Sequence, residues 1–172
     1  VGAFLPFCRG HSDKGSCRKE PWSFGEETEA LVRGVLENRM RFLPFLYTLF
    51  REHEETGRPI VTPLFFADPQ DMALRAVDDA FRVGDALLVA PITAPLLRSR
   101  EVRLPKGVWY ELTTGVRHTG PGVVTVDAPL GVTPVFGRGG SIVVRGPGGD
   151  AAEPLGRRTA EYWVFLDAAG QA

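Results

Sequence analysis

The stretch from Ser23 to Phe66, SFGEETEALVRGVLENRMRFLPFLYTLFREHEETGRPIVTPLFF, decides the fold. Val32, Val35, Leu36, Phe42, Leu43, Leu46, Leu49 and Phe50 recur at helical spacing, with Arg39 the one charged interruption. The spacing predicts a helix over 24–57. Ser23-Phe24-Gly25-Glu26 has the form of a capping box, the serine capping and the glutamate reaching back. Glu26, Glu27 and Glu29 put negative charge at the positive helix end. Gly57 suits a left-handed residue past the last turn, and Arg58-Pro59 cannot continue the helix. Pro44 lies inside the pattern, lacks a backbone donor and predicts a kink or a break. The aromatic residues Phe42, Phe45, Tyr47 and Phe50 read as core packing. Ile60-Val61-Thr62-Pro63-Leu64-Phe65-Phe66 follows, a short apolar run that suits a strand of a parallel sheet covered on both faces. Long helix and then buried strand is the alternation of an α/β barrel or a doubly wound sheet.

Working outward, Asp78-Asp79-Ala80-Phe81 reads as a turn or short helix and Ala86–Pro91 as another buried strand. Beyond Pro95 the pattern changes to short strands at 101–104, 108–112, 123–126, 134–136 and 141–144, separated by turn signals. That spacing argues for an antiparallel sandwich. Glycine usage changes with it: seven of the 20 glycines fall in the first 100 residues and 13 in the last 72. Gly146–Gly149 reads as a linker before a last strand near Tyr162–Leu166. The pattern predicts α/β plus all-β: barrel-type or doubly wound units over 1–84, an antiparallel β-sandwich over 85–146, and a linker with a last strand over 147–172. At the front, Val1–Phe7 reads as an apolar strand. It has no charged leader and no small-residue cleavage site, so it does not read as a signal peptide. Both ends read as the inside of a longer domain.

The 172 residues suit one domain or one and a half. Twenty basic and 21 acidic residues leave a formal charge of −1, which gives no reason to expect a nucleic acid or an anionic membrane as partner. No apolar run approaches the roughly 20 residues needed to span a bilayer. Two cysteines, Cys8 and Cys17, exclude a disulfide-dense scaffold, while pairing and free thiols both stay open. Without a C-x-x-C pair or a second histidine at ligand spacing, no metal site is expected. Gly137-Arg138-Gly139-Gly140 lacks the Lys-Ser/Thr of a phosphate loop and reads as a strand-connecting turn. The neighbouring carboxylates of Asp78 and Asp79 point apart and do not suggest a catalytic pair. The densest polar cluster is Cys8-Arg9-Gly10-His11-Ser12-Asp13, directly after the apolar front. Polar residues at the C-terminal end of a parallel strand are where α/β barrels place ligand contacts. His11 either meets a ligand there or pairs with Asp13 or Glu20.

Three further blocks extend this pattern. Pro6-Phe7-Cys8-Arg9-Gly10-His11-Ser12, Glu20-Pro21-Trp22-Ser23-Phe24-Gly25 and Arg39–Phe50 resemble consecutive blocks of glycoside hydrolase family 31, the α-glucosidase family. Thr62–Phe66, Asp78–Phe81 with Gly84–Pro91, Leu104–Tyr110 and Pro134–Ile142 continue the likeness in order through about residue 145. Gly10 stands between Arg9 and His11 where many members carry Asn. The resemblance implies the last units of a (β/α)8 barrel over 1–84, a proximal β-sandwich over 85–146 and the start of a distal β-domain over 147–172. It implies that His11 hydrogen-bonds sugar hydroxyls of an α-linked glucoside, and that Arg9 orders the same loop. Such enzymes retain configuration by using two carboxylates, and no cofactor is needed. In the family both carboxylates are aspartates on earlier barrel strands. No Asp here matches either motif, so no catalytic residue is assigned and the chain by itself is expected to be inactive. The alternative reading is a non-catalytic carbohydrate-binding or accessory β-domain protein.

Overall fold

The computed structural model describes residues 2–148 and 160–172. Val1 and the end of the proposed linker, from Gly149 on, lie outside the described residues. Among the described residues one long helix, α1 (Glu26–Thr56), precedes eight strands. Gly25, at φ 94°, takes the N-cap place with no side-chain cap. The expected capping box is therefore absent. Ser23 belongs to a preceding 3-10 turn, Pro21–Phe24, and its hydroxyl donates to Glu20 Oε2 at 3.3 Å. The C-terminal expectation holds: Gly57 is left-handed at φ 72° and its N–H donates to the His53 carbonyl at 2.8 Å.

α1 runs through Pro44 without a break. Phe42, Phe45, Leu46 and Leu49 flank the proline and all enter one core, so packing supports the helix on both sides of it. Tyr47 and Phe50 depart from the core reading; they are exposed. The N-terminal half of the stripe is also only partly covered, with Val35 and Leu36 exposed.

The strands are β1 (Val61–Pro63), β2 (Phe81–Val83), β3 (Leu87–Val89), β4 (Ser99–Glu111), β5 (Arg117–Asp127), β6 (Val135–Arg138), β7 (Ser141–Arg145) and β8 (Glu161–Phe165). Six form one sheet in the order β1-β2-β3-β6-β4-β5, and β7 pairs with β8. Every described pairing is antiparallel. The parallel strand expected over Ile60–Phe66 is thus shorter and runs against its neighbour. Pro63 has no N–H to extend the ladder, and Leu64–Phe66 turns into a 3-10 helix. The short loop between β2 and β3 can only return antiparallel, because a parallel pair needs a crossover of about a dozen residues. Phe81, expected in a turn, opens β2. The two strands expected at 101–104 and 108–112 are one, β4, with a register shift between Leu104 and Gly107 around Pro105. The sheet draws β1 and β2 from before residue 84 and the rest from after it. The apolar front is no strand: Gly2–Phe4 is a 3-10 turn.

Alternation along the strands splits the sheet between two cores. Val83, Leu87, Val89 and Val135 face α1, joined there by Val143 of β7 and Phe165 of β8. Leu88, Phe136, Val102, Leu104 and Trp109 fill the other side with Leu64 and Leu74. The Trp109 indole is buried and donates Nε1–H to the Pro105 carbonyl at 2.8 Å. Gly137 in β6 is required by close approach: a Cβ there would stand 2.3 Å from the Phe165 ring. Gly137 and Arg138 therefore belong to a strand, and only Gly139-Gly140 turns. No helix among the described residues is long and apolar enough to cross a membrane.

Candidate functional site

The polar cluster found in the sequence forms a loop between two 3-10 turns, ahead of α1. Gly10, His11, Ser12, Cys17, Arg18 and Glu20 line one open concavity. His11 is exposed, and among the described residues neither Asp13 nor Glu20 pairs with it. Asp13 instead accepts the Ser16 N–H on its carbonyl at 3.1 Å, closing a turn, and Glu20 holds Ser23. The imidazole is therefore available to an outside partner. Arg9 lies with its guanidinium carbon 5.9 Å from the Phe7 ring centroid, a contact within its own loop. Cys8 and Cys17 are free, exposed thiols. Among the described residues no group of three His, Cys, Asp or Glu stands together as a metal cage.

Arg39 carries the contact that sequence reasoning missed. It leaves α1 toward the chain's front and donates Nη1–H to the carbonyls of Ala3 at 2.8 Å and Leu5 at 2.6 Å. Nη2–H reaches the Pro6 carbonyl at 3.1 Å, and the Gly2 carbonyl stands at the edge of Nη1's reach at 3.5 Å. The only signal in the sequence was a charge interrupting an apolar stripe. Phe4 packs on Phe42 at 5.8 Å between ring centroids, so the same turn is held by an apolar contact as well.

A second arginine ties α1 to the last strands. Arg145 of β7 is buried, lies 3.9 Å over the Trp163 ring and 5.0 Å from that of Phe42, and donates to Asn38 Oδ1 at 2.9 Å and Glu161 Oε2 at 3.2 Å. Burial lowers the pKa of its guanidinium, and the Glu161 carboxylate pulls it back. A third group sits at the β2–β3 loop. Arg82 is buried and donates to Asp85 Oδ1 at 2.6 Å, and Arg58 reaches the other carboxylate oxygen at 2.7 Å. Burial pushes the Asp85 carboxyl up, but the hydrogen bonds and charges of Arg82 and Arg58 together outweigh it and leave it below its ordinary value. This cluster lies under the end of α1, among Leu49, Ile60 and Thr62, and orders the loop there.

Among the described residues, then, a polar loop and one long helix are joined to an antiparallel β-domain. Residues 1–49 match the TIM-barrel domain of glycosyl hydrolases family 31, and residues 57–143 match the family's C-terminal domain. The chain belongs to glycoside hydrolase family 31. It is 42% identical over 146 residues to a probable glucan 1,3-alpha-glucosidase of Arabidopsis thaliana, covering 84% of this chain and 16% of that protein. It is 40% identical over 146 residues to alpha-glucosidase 2 of Bacillus thermoamyloliquefaciens, covering 85% and 19%. A family 31 dextranase of Flavobacterium johnsoniae, solved with glucose, superposes with a TM-score of 0.88 at 34% identity, over 96% of this chain and 20% of that one. The chain thus spans about a fifth or less of the length of the relatives named here.

Proposed function

We propose that this chain is the closing segment of a retaining α-glucosidase-like hydrolase acting on α-linked glucosides. In this reading the front through α1 ends a (β/α)8 barrel, and the strands from β1 on form the sandwich behind it. The continuous six-stranded sheet and the two matched ranges support a division at Gly57 rather than after residue 84. β8 returns to pair with β7, so 160–172 is read with that unit.

One observation carries the proposal: similarity to α-glucosidases of a plant and a bacterium covers 84% and 85% of the chain, at 42% and 40% identity. His11 is the residue assigned to substrate. Its exposed, unpaired imidazole supports a hydrogen bond to a hydroxyl of the sugar whose bond is cleaved. Sugar hydroxyls move as the ring flattens toward an oxocarbenium ion, so such a bond strengthens in the transition state. Arg9 is assigned to ordering the loop, through its own stacking on Phe7. Neither the nucleophile nor the acid is assigned to any carboxylate of this chain. No cofactor enters the reaction, since two carboxylates suffice.

The test uses the complete gene product that contains this chain. It is expected to release nitrophenol from 4-nitrophenyl α-glucoside faster than from the α-xyloside. Replacing His11 by Ala is expected to lower kcat/KM by about one to two orders of magnitude, the cost of a lost hydrogen bond plus an unpaired polar partner. Thermal stability should hardly change. A clear loss of melting temperature with unchanged kinetics would remove His11 from the site, and absence of any glycosidase activity would favour a sugar-binding role.

A further inference from the structure

We propose that Arg39 is a positioning residue, setting the place of His11 by holding the backbone on which its loop begins. The inference rests on the reading of His11 given above. Four carbonyls of residues 2–6 lie within 3.5 Å of the Arg39 guanidinium. One guanidinium collects three of them, those of Ala3, Leu5 and Pro6, at 2.6–3.1 Å, with Gly2 at 3.5 Å. Arginine's planar fork of five donors suits this, and a single ammonium would not span the same set.

The anchor is firm at its other end. Arg39 stands one turn before Phe42 and about two before Phe45 and Leu46, which are buried against the sheet, and next to Asn38, which Arg145 of β7 holds at 2.9 Å. The helix therefore transmits the position of the β-domain core to Pro6, five residues before His11. Beyond Pro6 the described restraints on the loop are few: the Arg9 contact with Phe7 and the turn closed by Ser16 on Asp13. Releasing Pro6 frees the start of a loop whose histidine must meet a hydroxyl within hydrogen-bond distance. A misplacement of about 1 Å can cost on the order of 100-fold in rate.

The experiment uses the complete gene product as wild type, Arg39→Ala, Arg39→Lys, His11→Ala and the Arg39→Ala/His11→Ala double variant. Each is measured for kcat and KM on 4-nitrophenyl α-glucoside, for melting temperature, and for amide hydrogen exchange over residues 5–13 and 40–56. The expected result for Arg39→Ala is a loss of about tenfold or more in kcat/KM. Exchange should quicken in 5–13 and not in 40–56, and Lys should restore part of the loss. The double variant should be no slower than the slower single one, because both changes remove the same contact. If His11→Ala is impaired but Arg39→Ala keeps wild-type kcat/KM, or the two losses multiply, the positioning role is overturned and the reading of His11 stands. If His11→Ala is unimpaired, or the complete protein has no activity, that reading fails and this inference with it. Should Arg39→Ala not fold, Arg39→Lys carries the same comparison, with a smaller loss and the same non-additivity expected.

Discussion

Asp85 shows how a single exposed-edge carboxylate can serve a buried cation. Arg82 is buried, while Asp85 is 52% exposed and also touches Arg58. The arginines hold the carboxyl below its ordinary value near 3.8. A carboxylate whose folded pKa is depressed stabilises the fold above the unfolded pKa, and that contribution disappears as pH falls through the folded one. The wild-type chain is therefore expected to be more stable than Asp85→Asn at neutral pH, by about 1 kcal/mol given the solvent screening of a half-exposed group. The gap should close as pH drops below about 4, where the unfolded carboxyl takes up its proton first. Urea unfolding of both proteins from pH 7 downward checks this; a gap independent of pH would mean that Asp85 acts by packing. At this scale the sequence showed Asp85 only as part of a block, and its partner Arg82 lay unremarked beside a strand. Arg58 and Asp85 are 27 positions apart in the chain, and nothing in local pattern pairs them.

At the scale of elements, helix and strands were legible wherever local periodicity and burial agree. α1 begins and ends within two residues of the range read from its apolar spacing, and Gly57 does what a glycine after a helix is expected to do. The failures share a cause: tertiary contacts overrode a local signal. The core keeps α1 continuous through Pro44, where the local rule expects a break. The joint between α1 and β7–β8 was invisible in the sequence because Asn38, Phe42, Arg145 and Trp163 meet only in the fold. Arg145→Met keeps most of the stem and loses the charge. Stacking of a desolvated cation is worth about 2 kcal/mol, and hydrogen bonds to a charged group about 1.5–3. Partial repacking by the methionine leaves an expected loss of about 2 kcal/mol in the unfolding free energy of the chain, read from the urea midpoint at unchanged slope. Trp163 fluorescence should shift as its cation is removed. A variant as stable as wild type, with unaltered emission, would show that apolar packing alone makes this joint.

At the scale of the whole molecule, the long helix and both sheets meet in one core. Four buried residues on one face of the six-stranded sheet, Val143 of β7 and four residues of α1 share a single core, with Phe165 closing it across Gly137. Apolar residues also remain outside: Trp22, Phe24, Val35 and Leu36 on the α1 side, and Ile142, Tyr162 and Val164 on β7–β8. The 172-residue chain alone is expected to release no nitrophenol from an α-glucoside above a mock preparation, because no carboxylate in it matches either role of the two-carboxylate mechanism. Measurable turnover by the purified chain, abolished in no control, would force a search for those carboxylates here.

By itself, the sequence determined the family through the order of its blocks, the long helix through its period, and the β-rich rear through alternation and glycine-marked turns. It also singled out His11 as a polar residue after an apolar front. These are local properties, set by neighbours within a few positions. Only the tertiary structure decided that Ile60–Phe66 joins an antiparallel sheet, that the front of the chain is a turn rather than a strand, and that β8 pairs with β7. It alone turned Arg39 from an interruption in a stripe into the holder of three carbonyls, and brought Arg145 between two aromatic rings. Each of those outcomes depends on groups 15 to 110 or so positions apart satisfying buried charges and unpaired backbone, which no local pattern records.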